Sequence, residues 1–496
     1  MIQDKSTGRS YTIINYMRFI VSDSMELDHG FGKWRYSHDK GVQTWSDGER
    51  LCLYYGYTID GELEQLVKGE PKFIPDANGK FCVVMLWKDR MQVWVDYFCQ
   101  SKVYYHTRDG LTVTNHIALL PLHQEDVDHE VVNRFAKGIY SRDGLSSGIA
   151  SSTDFKFLKE WEHFTTNNTV FHMTASVPPE HCLQHIDGNT KTVRTYNTKR
   201  DMAYALSHTL DWGTAQLEDK IHQCMDQHSS VIKKNYRNIC STISEGVDSV
   251  LQDMYFENAS RLMYHPFLDN FFDLISNRSL TWKTKIISQI EDRGADVRLD
   301  LMPMSQLGVF TERHAVDVNL SFLDIVPTLW QISKALSEKP QLILYGQNAD
   351  EMFLHRMSFI RTLRPREDMS QYQGSYADGD NEPEELMTTN NIDPWRDNMA
   401  HMAQLSLYNR DVENQTGVQT TSLYSDRRIF NLVHRMPRHV MLESMAHAAP
   451  QVNMLRDRFG FDFQTPSKDA AGYRCNEVLK QLLARTLKGC LLDHSL

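Results

Sequence analysis

This sequence of 496 residues lacks the features that would assign it at once. Its eight cysteines include no C-x-x-C pair, so neither a zinc site nor a disulfide framework is indicated, and we expect a reducing, cytoplasmic setting. No apolar run approaches the ~20 residues needed to cross a bilayer, and no apolar segment follows a basic one at the N-terminus. The net charge of -11 argues against a broad electrostatic grip on nucleic acid or anionic lipid. We therefore expect a globular protein with neither a nucleic-acid nor a membrane partner.

Two kinds of pattern divide the chain near residue 197. Before this point, short runs typical of β-strands at 51–57, 81–87 and 91–97 alternate with Asp-Gly and Asn-Gly turns. They predict a layered antiparallel sheet domain. The segment 177–196 has a Pro pair, an Asp-Gly turn and a polar run, which we interpret as the connection between domains. The predicted domains are therefore 1–197 and 198–496.

The second domain has a different periodicity. A helical pattern at 217–232 is followed by short apolar strands at Ile239–Ile243 and 341–345. Such alternation predicts an α/β domain with a mainly parallel sheet. The acidic stretch 364–398 contains Gly and Pro and has little periodicity, so we predict a mobile surface loop there.

A polar turn follows the strand Ile239–Ile243 directly, in the stretch CSTISEGVDSVL. Ser244, Gly246 and Ser249 are small, so the backbone can approach a phosphate closely and point its N–H groups at the anion. Asp248 would best hold a Mg²⁺ that bridges to the phosphate oxygens. The alternative is an ordinary strand-to-helix turn in which Asp248 caps the helix.

A second turn of this kind follows the next predicted strand, in LILYGQNADEMF at 342–353. Gly346 begins the turn, and the carboxylates of Asp350 and Glu351 come at its end. Two strand ends of one parallel sheet, each with a carboxylate, would form a site for a divalent metal and a polyphosphate. For Glu351 the alternative is simple complementation of a helix dipole.

In order and spacing, these motifs resemble those of the asparagine-synthetase family. SEGVDS at 244–249 resembles the family pattern S-G-G-x-D-S, and GQNADE at 346–351 resembles G-E-G-x-D-E. TSLYSDRRIFNLVHRMP at 421–437 resembles the segment before the family's last active-site lysine, a position that Lys468 takes here. The resemblance implies an Ntn-type glutaminase-like domain followed by a PP-loop ATP pyrophosphatase domain. The β-lactam synthetases and lasso-peptide cyclases are related.

The resemblance also implies a reaction and a set of roles. ATP would adenylate a carboxylate, with release of pyrophosphate, and ammonia or an amine would then displace AMP to form an amide. Residues implied to bind the nucleotide are Ser244, Gly246, Asp248, Ser249 and Gly346. Those implied to hold Mg²⁺ are Asp248 and Asp350, and those implied to act in catalysis are Lys468, Gln347 and Glu351.

Three departures from the family pattern shape the expectation. Met1 is followed by Ile2, so the N-terminal cysteine of the glutaminase is missing, and we expect a degenerate domain without glutamine hydrolysis. Glu245 replaces a glycine of the pyrophosphate loop, where its charge would repel phosphate unless it is turned away or recruited to metal. Gln347 replaces a glutamate and is a poor proton acceptor at neutral pH.

Three functions remain open on these grounds. The first is an amide-forming ligase that uses free ammonia or an amine, on a carboxylate that the sequence does not name. The second is asparagine synthesis from aspartate. The third is a non-catalytic descendant that binds a nucleotide or a protein partner, with the N-terminal domain as the predicted contact for such a partner or a second copy.

Overall fold

The structure is a computed structural model. It describes residues 2–3, 10–11, 18–129, 169, 171–178, 180–195, 208, 210–267, 278–306, 325–346, 348–353, 412–413, 415–436 and 449–463. Within these ranges no helix is both long and apolar enough to cross a bilayer.

Two six-stranded antiparallel sheets form the N-terminal region, beside a small hairpin of Ile2–Gln3 and Ser10–Tyr11. In order across the first sheet, the strands are Thr174–Ser176, Tyr104–His106, Thr112–Thr114, Phe19–Ser22, Trp34–His38 and His29–Phe31. Across the second they are Asn189–Arg194, His181–Ile186, Met91–Val95, Gly79–Trp87, Arg50–Thr58 and Gln43–Ser46. The three strands predicted at 51–57, 81–87 and 91–97 are confirmed as neighbours in this second sheet.

Apolar side chains cover both faces of the second sheet. On one face, Leu53 and Val84 pack with Val21 and Val113 of the first sheet in a single buried cluster. On the other face, a second cluster includes residues of the helix Leu63–Lys68 and of the 3-10 helix Pro71–Asp76. The N-terminal region is therefore layered, as its alternating strands predict.

The interpretation of 177–196 as a connection between domains is wrong. His181–Ile186 and Asn189–Arg194 form a hairpin, and the first of these strands pairs with Met91–Val95 within the second sheet of the N-terminal region. Its turn is Asp187-Gly188, and both residues have positive φ, of 52° and 75°. An Asp-Gly pair in this conformation is the usual tight turn between two antiparallel strands. The turn signal thus belongs to a hairpin of the N-terminal region, and the boundary near 197 stays a prediction.

The C-terminal region is built on a five-stranded sheet in which every pair is parallel. Its strands, in order across the sheet, are Val297–Pro303, Ser260–Phe267, Ile239–Ile243, Leu342–Leu344 and Gln419–Thr421. The helices of this region are Thr214–Asn235, Val247–Asp253, Arg278–Glu291, Ile325–Glu338, Ala349–Met352, Arg427–His434 and Ala449–Phe459. The parallel sheet and the helix predicted at 217–232 are confirmed, and the chain is a mixed α/β protein.

One apolar core joins the two regions. Tyr57, Tyr97 and Phe98 of the N-terminal domain belong to the same buried cluster as residues around the parallel sheet, including Phe430. The ring centroids of Phe98 and Phe430 lie 6.0 Å apart in an edge-on arrangement. Because this cluster is continuous, the two regions cannot separate without exposing apolar surface to water. The acidic stretch predicted to be a mobile loop, 364–398, lies outside the described residues.

Candidate functional site

The strand order places both predicted turns at one point of the parallel sheet. The strands Ser260–Phe267 and Val297–Pro303 lie on one side of Ile239–Ile243. The next strand in the chain, Leu342–Leu344, lies on its other side. The two strands are paired neighbours, with Ser241 opposite Leu344. In an open α/β sheet, such a reversal leaves a crevice at the carboxyl ends of the strands, where ligands bind.

Direct contact joins the two turns. A Cβ added at Gly346 would lie 2.8 Å from the backbone nitrogen of Ser249 and 2.9 Å from its Cα. Real Cβ atoms do not approach a backbone so closely, so position 346 has room only for glycine. The structure thus brings Gly346 and Ser249 together.

Serine hydroxyl groups hold the first turn in shape. The Ser244 N–H donates to Ser249 Oγ at 2.9 Å, and the Gly246 N–H donates to Ser244 Oγ at 3.1 Å. The two hydroxyl oxygens are 2.9 Å apart. The loop is therefore pre-organised, but two of the backbone N–H groups expected to face an anion are taken up by its own serines.

Asp248 lies in the first turn of the helix Val247–Asp253, where a carboxylate complements the helix dipole. The N-cap is Gly246, so the alternative of Asp248 as the capping residue is not what the structure has. Two side chains from distant parts of the chain contact it. The Tyr424 hydroxyl donates to the Asp248 carbonyl at 2.7 Å, and Gln451 Nε2 donates to Oδ1 at 3.2 Å.

Asn348 gives the second turn its shape. It has φ 71° and ψ -5° and precedes the helix Ala349–Met352, which contains the backbone of Asp350 and Glu351. Asparagine tolerates this left-handed conformation better than most residues. Its Nδ2 donates to Ser425 Oγ at 2.8 Å.

Two of the predicted catalytic residues, Gln347 and Lys468, lie outside the described residues, and so do the side chains of Asp350 and Glu351. The structure places only the backbone of the latter two. Ser244, Gly246, Asp248, Ser249 and Gly346 are all described, and all five come from the two turns at the switch point.

Two buried amide oxygens around this site have no hydrogen-bond donor among the described residues. They are Asn348 Oδ1 and Gln451 Oε1, and both side chains are fully enclosed. An unpaired buried oxygen is costly and calls for a partner. Together with the Asp248 carboxylate they are the hard oxygen donors that Mg²⁺ or its bound water prefers. The described side chains contain no cluster of three or more His, Cys, Asp or Glu that could hold a metal by themselves.

Glu245 is turned toward a neighbouring helix. Its Oε2 lies 3.4 Å from Lys283 Nζ, and the Lys283 side chain is only 6% exposed while that of Glu245 is 23% exposed. The positive charge of Lys283 therefore offsets the negative charge of Glu245. Sequence reasoning missed Lys283 and Gln451, because no local motif marks them and only the tertiary fold brings them to the turn. Tyr424 lies in the segment 421–437 that resembles the family, but nothing in that segment assigns it a contact with Asp248.

The thiols of the N-terminal domain are unsuited to nucleophilic attack. Cys52, Cys82, Cys99 and Cys182 are all buried. Burial raises the pKa of the Cys52 thiol to about 12 and that of Cys182 to about 11. Since the thiolate is the nucleophile, such groups are inert near neutral pH.

Comparison with known proteins adds little. No protein-family model matches the chain, and no curated protein matches it. Among solved structures, one neighbour is the allosteric regulatory enzyme of purine biosynthesis, at 9% sequence identity and a TM-score of 0.22. The match covers 58% of this chain and 75% of the other.

Proposed function

We propose that this chain is an ATP-dependent, amide-bond-forming ligase of the asparagine-synthetase type, with a PP-loop domain behind a glutaminase-like Ntn-type domain. The observation that carries the proposal is the meeting of the two turns at the switch point of the parallel sheet. Gly346 approaches the Ser249 backbone there, and Asp248 precedes Ser249 in the same helical turn. This edge of an open α/β sheet is where nucleotides bind.

The residues around the turns suit a magnesium nucleotide. Asp248, with the buried amide oxygens of Asn348 and Gln451, would hold Mg²⁺ directly or through water. When bound, the ion would offset the charge that develops on the pyrophosphate leaving group. Ser244 and Ser249 would present hydroxyl groups to phosphate oxygens after exchanging the bonds they make within the loop.

The chain's own residues set the remaining roles. Tyr424 donates to the Asp248 carbonyl, and burial raises its pKa well above the usual value, so it stays a neutral donor that fixes the turn. Lys468, by its position in the resembled motif, would neutralise the phosphorus transition state and then the oxyanion of the amide-forming step. Gln347 would orient the amine by hydrogen bonds without accepting its proton. Glu351 is the third residue that the resemblance implies to act in catalysis.

Glutamine hydrolysis is not part of the proposal. The layered sheet domain would supply structure to the ligase, and its buried, high-pKa thiols support the loss of a cysteine nucleophile. Ammonia or an amine would therefore come from solution or from a larger substrate.

A second candidate is a descendant that binds a nucleotide or a protein partner without catalysis. The hydrogen bonds inside the first turn favour it, because the N–H groups of Ser244 and Gly246 already have partners. A site closed in this way would bind phosphate only if the loop rearranged.

Pyrophosphate release from ATP and Mg²⁺ tests the proposal, measured across a panel of amino acids and peptides. Release that requires one acid, and that disappears in Asp248→Ala and Lys468→Ala, is the expected result. Asp457→Ala is the matched control, because that carboxylate is exposed and pairs with its neighbour Arg456. No release with any acid, together with ATP binding in calorimetry, would select the non-catalytic candidate; absence of both would overturn the nucleotide site.

A further inference from the structure

Lys283 is a buried cation beside the candidate nucleotide site. Its Nζ lies 3.4 Å from Glu245 Oε2 and 3.4 Å from His265 Nδ1, and it sits over the Tyr264 ring at 5.4 Å from the centroid. Glu245 belongs to the first turn, whereas Tyr264 and His265 belong to the neighbouring strand Ser260–Phe267. The ammonium group is thus held by two adjacent parts of the sheet.

The register of the strands places this group at the carboxyl edge. Ile243, the last residue of its strand, pairs with Met263, so Tyr264 and His265 extend beside the turn that begins at Ser244. The carboxyl edge is the ligand-binding edge of such a sheet. Lys283 therefore brings a positive charge to the same edge as the two predicted phosphate-binding turns.

The two partners of the ion pair differ in exposure. Lys283 is nearly enclosed, at 6% exposed, while Glu245 reaches solvent at 23%. Glu245 is therefore the partner that can exchange this contact for water, whereas Lys283 would then keep an uncompensated charge in a poorly solvated place. A buried ammonium in that state would need another anion, and lysine is a common partner of nucleotide phosphates.

We propose that Lys283 binds the polyphosphate of the nucleotide and that Glu245 is the counter-ion that this polyphosphate displaces. The inference rests on the proposed function, since it names a further ligand of the same site. It gives the unusual glutamate of SEGVDS a role: Glu245 holds the cation in place when no nucleotide is bound, and it lowers affinity by competing with phosphate.

Four variants test the exchange, with ATP and inorganic pyrophosphate in the presence of Mg²⁺ as the calorimetric probes. Lys283→Met should weaken binding of both by about tenfold or more, because a charge-assisted contact is lost. Glu245→Gln should tighten binding by a similar factor. The double variant has the net charge of the wild type and should bind more weakly than Glu245→Gln alone. Lys285→Met is the control, since that residue is on the same helix but is exposed and stacks on Trp282.

The outcomes separate this inference from the proposed function. If the wild type binds ATP but neither Lys283→Met nor Glu245→Gln changes the affinity beyond the Lys285→Met control, Lys283 is a structural residue only and the exchange is wrong. If the wild type binds neither probe, the proposed function fails. Binding of pyrophosphate to Glu245→Gln but not to the double variant would then still support the exchange, and no binding to either would overturn both. Thermal unfolding of each variant identifies any loss that comes from misfolding.

Discussion

Gly346 and Ser249 meet with no space for a side chain between them, since a Cβ at 346 would come within 2.8 Å of the Ser249 nitrogen. The two residues come from turns that follow adjacent parallel strands. Their contact links the two sequence motifs directly.

Gly346→Ala should therefore damage the site. We expect the free energy of unfolding to fall by about 1–3 kcal/mol, the usual cost of overpacking, and ATP binding to weaken. Urea unfolding and calorimetry measure the two effects. Gly213→Ala is the control, since Gly213 has φ -77° and no atom lies within 4 Å of an added Cβ. Equal losses in the two variants would show that the contact at 346 has no special importance.

Gln451→Met should change the magnesium dependence of nucleotide binding. Gln451 Nε2 donates to Asp248 Oδ1 at 3.2 Å, and its Oε1 is one of the proposed magnesium donors, so the substitution removes both the bond that orients the carboxylate and a donor. We expect the Mg²⁺ concentration required for half-maximal ATP binding to rise roughly tenfold, a typical effect for a group that orients a metal ligand. Gln289→Met, which removes an amide that donates to the Asp462 carbonyl, is the control. An unchanged Mg²⁺ requirement would exclude this orienting role.

The interface between the domains contains a buried histidine that should make stability depend on pH. His228 Nδ1 donates to the Leu423 carbonyl at 3.3 Å, and its Nε2 lies 2.9 Å from the Tyr57 hydroxyl. Burial lowers the pKa of His228 from 6.5 to about 4. Between these values the unfolded chain binds the proton and the folded chain does not. The stability that neutral His228 contributes therefore falls as the pH drops from 6.5 to 4, by up to ~3 kcal/mol.

Urea unfolding of the wild type and His228→Gln across this pH range tests the effect. The variant should lose the part of the slope that comes from the histidine. Asp96 acts in the opposite direction, because burial raises its pKa to about 6 and its contribution is lost as pH rises toward that value. The difference between wild type and variant is thus the quantity to compare, and a difference that does not change with pH would contradict the assignment.

Lys80 and Glu413 form a buried ion pair between the N-terminal and C-terminal regions, with Lys80 Nζ also donating to the Thr420 carbonyl. Lys80→Met should destabilise the protein by about 3–5 kcal/mol, because it leaves a buried carboxylate without its cation. Lys68→Met removes the cation of the exposed pair with Glu64 and should cost less than about 1 kcal/mol. Comparable midpoints of urea unfolding for the two variants would contradict the prediction.

Local pattern was enough to predict three strands of the N-terminal region, at 51–57, 81–87 and 91–97, and two strands of the parallel sheet, at Ile239–Ile243 and 341–345. The strand Ile239–Ile243 has the predicted bounds, because it is a fully buried apolar run that ends at a polar turn. The hairpin at 181–194 is not predicted correctly, since its Asp-Gly turn and polar residues also fit a connection between domains. Its pairing with Met91–Val95 shows that it is part of the sheet. Local sequence cannot predict this pairing, because the two strands are distant in the chain.

Likewise, some residues of the candidate site could be predicted from the sequence and others could not. Ser244, Gly246, Asp248, Ser249 and Gly346 lie in contiguous turns, so the sequence predicts them. Lys283 and Gln451 come from helices that carry no motif, and their roles depend on where the sheet places those helices. The left-handed conformation of Asn348 is an intermediate case, because the residue type permits it but does not require it.

Lys80 and Glu413 have a consequence for the history of the chain. Among the described residues, each region contributes one buried charge to this ion pair. A substitution at either position alone leaves a buried charge without its partner, so the protein loses much of its stability. A paired change to apolar residues removes both charges together. In natural variants of this chain, we therefore expect the two positions to be replaced together, and we expect the N-terminal domain to be inherited with the C-terminal one whatever happens to its own chemistry.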